Sequence, residues 1–74
     1  MDPKDLEVGE TYKTTEVVNV CAYDASDCLM TYMIPLPAEY ELTYVSPDAD
    51  DGYVFQNADG MKFCLHDDDL TALS

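Results

Sequence analysis

Glu39-Tyr40-Glu41-Leu42-Thr43-Tyr44-Val45 carries the clearest structural signal in the chain. Tyr40, Leu42 and Tyr44 fall on one side of a period-2 pattern; Glu39, Glu41 and Thr43 fall on the other. Such alternation marks a strand with one dry and one wet face. Downstream, Tyr53 to Gln56 and Met61 to Leu65 flank Asn57-Ala58-Asp59-Gly60. A four-residue connection containing Asp-Gly predicts a hairpin. In its second arm Met61, Phe63 and Leu65 alternate with Lys62, Cys64 and His66, and the first set is expected to face the core.

Upstream, Cys28 to Ile34 reads as a strand that Pro35-Leu36-Pro37 ends, because proline cannot donate to a ladder. Thr11 to Tyr23 reads as one long strand rich in Thr, Val and Tyr, with a bulge or bend near Val17-Val18 where the alternation slips. At the other end, Asp67-Asp68-Asp69-Leu70-Thr71-Ala72-Leu73 predicts a short helical turn. Its aspartates would sit at the positive end of the peptide dipoles, and Leu70 and Leu73 would cover one end of the core. The expected fold is therefore all-β: a small antiparallel five-stranded barrel or rolled sheet with a C-terminal helical turn. From Ile34 onward the succession of Pro-containing turn, alternating strand, acidic loop, Gly hairpin and terminal turn resembles an SH3-like barrel, a scaffold that hosts many functions.

The 74 residues allow one domain, 1–74, with one modest core. Sixteen Asp and Glu stand against three Lys and no Arg, a formal net charge of -13. Small domains ordinarily carry about 2 to 8 net charges, and self-repulsion makes an excess costly. Disorder is not the explanation, because 47% of residues are hydrophobic and six Tyr and two Phe are interleaved with the acids. Direct binding to DNA, RNA or anionic membranes is excluded by the lack of cations to replace their counterions. No apolar run approaches the ~20 residues of a membrane-spanning helix. The first residues, Met1-Asp2-Pro3-Lys4-Asp5, lack the pattern of a signal peptide, so a cytoplasmic location is expected, where three Cys remain reduced.

The acids thicken in three places: Asp24 with Asp27; Glu39 and Glu41 running on to Asp48, Asp50 and Asp51; and Asp67, Asp68 and Asp69. Taken singly, each run is a solvated face. Taken together they make a field that attracts proteins with Lys- and Arg-lined surfaces. These ten residues are the expected partner-binding set, with Tyr23, Tyr32 and Tyr53 as anchors wherever their rings stay exposed.

In size, acidity, absence of Arg and abundance of Tyr, the chain resembles the small acidic inhibitor proteins of phages and mobile elements. Some of these mimic DNA and block restriction enzymes, CRISPR effectors, glycosylases or polymerases. The resemblance implies a stoichiometric inhibitor, monomeric or dimeric, that needs no cofactor and acts in the host cytoplasm on a basic, nucleic-acid-binding protein. It carries over no individual residue, since these proteins share no fold.

Three other readings of the sequence stand beside it. Salt adaptation also enriches acids. A structural or accessory module of a larger assembly, such as a phage particle, would expose an apolar patch. A small metal-binding domain would use Cys21, Cys28, Cys64 and His66, although Cys21-x6-Cys28 lacks the short spacing of zinc ribbons. The loop Ser46-Pro47-Asp48-Ala49-Asp50-Asp51-Gly52 lacks the closing Glu of a calcium loop. Catalysis finds little footing, with one His, no phosphate loop and no distinctive carboxylate pair.

Overall fold

The computed structural model describes residues 1–26, 28–47 and 52–74. Among the described residues six strands form one antiparallel sheet: β1 (Thr11–Lys13), β2 (Val18–Tyr23), β3 (Leu29–Leu36), β4 (Glu41–Pro47), β5 (Tyr53–Gln56) and β6 (Lys62–Leu65), in the order β1-β4-β5-β6-β2-β3. A 3-10 turn (Pro3–Asp5) precedes them, and a single helical turn, α1 (Asp67–Leu70), follows. Among the described residues no helix is long and apolar enough to cross a membrane.

Six strands replace the expected five because Thr11–Tyr23 is two strands. β1 pairs with β4, whereas β2 lies between β6 and β3. The break centres on Thr14, which is only 2% exposed. Its hydroxyl donates to the Pro37 carbonyl at 2.7 Å and accepts from the Tyr40 amide at 2.9 Å. Its backbone exchanges bonds with Tyr40 and Glu39, and the Lys13 and Thr15 amides turn to Ser74 and Ala72. The tail is thereby stitched to one side of residues 13–15, with the 37–40 turn on the other.

The same break sets the curvature. In a flat sheet β1 and β2 would stand four strand spacings apart, roughly 19 Å. The stretch from Lys13 to Val18 spans about 17 Å at full extension. The sheet therefore rolls, consistent with extents of 28 × 23 × 22 Å.

Inside the roll lie Val18, Val20, Ala22, Leu36, Leu42, Tyr44, Phe55, Phe63 and Leu65, closed at one end by Leu70, Ala72 and Leu73. Tyr44 and Phe55 pack with ring centres 5.3 Å apart, and Tyr40 meets Phe63 edge-on at 6.4 Å. The expected inward face of β4 and the capping role of Leu70 and Leu73 match this core, and β5 and β6 form the expected hairpin.

Three local expectations are corrected. β3 runs through Pro35 to Leu36 instead of stopping at Ile34. It is the last strand of the sheet, where a missing N–H can face away from the ladder. Glu39 is not on β4; it sits in the preceding turn at φ 62°, a left-handed conformation. Met61 is exposed while Cys64 is buried. Met61 precedes β6 at the hairpin turn, and Cys64 lies on a central strand between Cys21 on β2 and Val54 on β5.

Candidate functional site

Among the described residues every carboxylate is exposed except that of Asp69, which is half-buried. Few serve the fold. Asp2 accepts from the Lys4 amide, Asp24 closes its own loop, and Asp69 accepts from the His66 amide at 3.0 Å at the start of α1. His66 Nδ1 stands 4.0 Å from Asp69. Glu41 lies opposite Lys13 in the β1–β4 register, yet no ion pair joins them in the described structure. The charge is therefore directed outward.

The fold gathers Glu39 and Glu41 of the second acidic run and the whole of the third at one end. Residues 39–41 and 72–74 flank residues 13–15 on opposite sides, so their backbones lie about two strand spacings, ~10 Å, apart. α1 leads directly into the tail, and the Met1 amino group donates to the Leu70 carbonyl at 2.9 Å, which brings Asp2 beside Asp67, Asp68 and Asp69. Glu39, Glu41 and these four aspartates thus surround the same end of the roll. Asp27, Asp48, Asp50 and Asp51 lie outside the described residues.

Asp24 is elsewhere, on the rim of an open cleft of ≈ 600 Å³ lined also by Tyr23, Met30, Asp59, Met61 and Lys62. Two loops with the same design flank it. Asp24 Oδ1 accepts from the amides of Ser26 (2.8 Å) and Cys28 (3.0 Å), and the Asp24 amide donates to the Cys28 carbonyl. Across the cleft, Asn57 Oδ1 accepts from the amides of Asp59 (3.0 Å) and Met61 (2.9 Å). Gly60 completes that turn at φ 83°, where a side chain would be strained. Short Asx side chains substitute for backbone acceptors in such loops.

Of the three tyrosines expected as anchors, Tyr32 is 61% exposed, while Tyr23 and Tyr53 are half-buried. Asp59 and Met61 enter the site unanticipated. Asp59 read as a turn residue and Met61 as core, so only the position of the hairpin beside the 24–28 loop reveals them. Among the described residues no three His, Cys, Asp or Glu converge as a metal site would require. Comparison with protein-family models, curated proteins and solved structures finds no match.

Proposed function

We propose that this protein is a stoichiometric inhibitor that binds a basic, nucleic-acid-binding protein in the cytoplasm and occludes the surface that holds phosphates. The observation that carries this reading is the excess of sixteen carboxylates over three Lys, together with the exposure of all but Asp69 among the described ones. Carboxylates not committed to the fold are available to the Lys and Arg of a partner, raise its association rate, and compete with a nucleic acid for the same cations. Glu39, Glu41, Asp67, Asp68 and Asp69, gathered at one end, are the leading source of that attraction. The fold reading that accompanies this proposal is an SH3-like barrel in which β1 and β2 act as one bent stave between β4 and β6. A structural module of a larger assembly is the second reading, favoured by the exposure of Leu29, Tyr32 and Met33.

The test is capture from a nuclease-treated bacterial lysate on the immobilised protein, eluted with a salt gradient. One enriched nucleic-acid enzyme, released as salt rises and displaced by its own DNA or RNA, is the expected result. Salt-insensitive capture, or a scatter of unrelated basic proteins, refutes specific occlusion.

A further inference from the structure

Residues 28–38, Cys28-Leu29-Met30-Thr31-Tyr32-Met33-Ile34-Pro35-Leu36-Pro37-Ala38, form the longest stretch of the chain without an Asp, Glu or Lys. Most of it is β3, which pairs with β2 on one side and ends the sheet on the other. Leu29 (44%), Tyr32 (61%) and Met33 (59%) on this strand are exposed, and so is Met61 (42%) in the adjoining cleft. Leu29 stands opposite Tyr23, which lines that cleft, so the apolar surface runs from the free edge into it. Asp24, Asp59 and Lys62 supply the charged lining of the cleft, two carboxylates to one ammonium.

The four residues together expose on the order of 400 Å², within the range of the largest apolar patch on an ordinary monomer. That is about half of the ~800 Å² one partner contributes to a standard interface, leaving the other half to the acidic surroundings. The edge is poorly suited to main-chain pairing. Between the pairs Cys21–Met33 and Tyr23–Leu29, one residue of β2, Ala22, faces three of β3, Met30, Thr31 and Tyr32, and Pro35 has no N–H. Such irregularities blunt an edge against strand addition, so recognition falls to side chains.

Charge selects the occupant. A second copy would bring its own Asp24 and Asp59 and another net charge of -13 to the same rim. A segment carrying apolar residues beside Lys or Arg satisfies both parts of the surface. Its cations meet Asp59 and the Oδ2 of Asp24, and a guanidinium can stack on the exposed Tyr32 ring. We propose that the β3 edge and its adjoining cleft are the anchoring surface for the basic partner, through Leu29, Tyr32, Met33 and Met61 with Asp24 and Asp59 at the rim. This rests on the inhibitor reading and moves the specific contacts away from the carboxylate-rich end.

The test uses the full chain, labelled with nitrogen-15, and two blocked octapeptides, one alternating Arg and Leu and one alternating Arg and Ser. The expected result is at least tenfold tighter binding of the Arg-Leu peptide, with amide shifts concentrated at residues 24, 28–34 and 59–61. The double variant Tyr32→Ser, Met33→Ser, checked for an unchanged melting curve, is expected to abolish that preference and retain the salt-dependent remainder. Met61→Ser is expected to weaken it in the same direction. Equal binding of both peptides with steep salt dependence overturns the anchoring surface while sustaining the charge reading. If neither peptide binds, both are overturned. A dimer in sedimentation that Tyr32→Ser dissolves assigns the edge to a second copy and overturns the proposal.

Discussion

Thr14→Val isolates the junction that turns one chain segment into two strands. Valine has nearly the same shape, so the packing around a side chain only 2% exposed is preserved. Two hydrogen bonds are lost: to the Pro37 carbonyl at 2.7 Å and from the Tyr40 amide at 2.9 Å. Each contributes about 1 kcal/mol net, and more where the abandoned partner stays dry. The added methyl returns up to ~0.8 kcal/mol. The expected loss is about 2 kcal/mol, a large share of the ~4–11 kcal/mol that 74 residues usually hold. For a domain of this size it lowers Tm by roughly 8–16 °C. Urea and thermal unfolding at one fixed salt concentration measure it, with Thr14→Ser as the control that keeps the hydroxyl. A loss under about 0.5 kcal/mol, or a serine variant weaker than the valine one, would refute the view that the hydroxyl holds the junction.

Raising NaCl from low to physiological levels and beyond is expected to raise Tm, because the excess of -13 repels itself and salt screens exposed charges over about 8–10 Å; a flat or falling dependence in thermal melts contradicts this. Asp24→Asn is expected to preserve stability, since its amide oxygen can accept from Ser26 and Cys28, whereas Asp24→Ala is expected to cost about 1–2 kcal/mol by the same unfolding assay. Glu39→Gly is expected to stabilise by about 0.5–1 kcal/mol, because glycine adopts φ 62° without steric cost; calorimetry showing a lower Tm would count against left-handed strain at that turn.

The parts of the fold carried by local pattern were legible in the sequence. Alternation placed Leu42 and Tyr44 in the core, the Asn57–Gly60 turn marked the hairpin, and the aspartates ahead of Leu70 marked α1. What was not legible depended on distant partners. Nothing around Thr14 announces that its hydroxyl will meet Pro37 and Tyr40, residues 23 and 26 positions away. Pro35 reads as a strand stop until β3 proves to be the sheet's last strand. The site followed the same division. The acidic runs were visible as composition, but the convergence of Glu39 and Glu41 with Asp67, Asp68 and Asp69 depends on the tail pairing with residues 13–15. The apolar edge was hidden because Leu29 and Met33 look like core residues in any linear reading.

An acidic field and an apolar edge have different physical consequences, so they separate in kinetics. The field acts at a distance and accelerates encounter, while individual exposed ion pairs contribute only about 0–1 kcal/mol each. Covering on the order of 400 Å² of apolar side chain is worth about 10 kcal/mol gross, much of it cancelled by lost translational and rotational freedom. What remains acts at short range and governs escape. Glu39→Lys with Glu41→Lys is therefore expected to slow association with the Arg-Leu peptide by three- to tenfold at low salt, leave dissociation nearly unchanged, and lose its effect at about 0.5 M salt. Tyr32→Ser with Met33→Ser is expected to do the reverse, speeding dissociation by tenfold or more at every salt concentration. Stopped-flow fluorescence of a labelled peptide resolves both rates. If the glutamate reversals act mainly on dissociation, those carboxylates are direct contacts, and the division between a steering end and an anchoring edge is wrong.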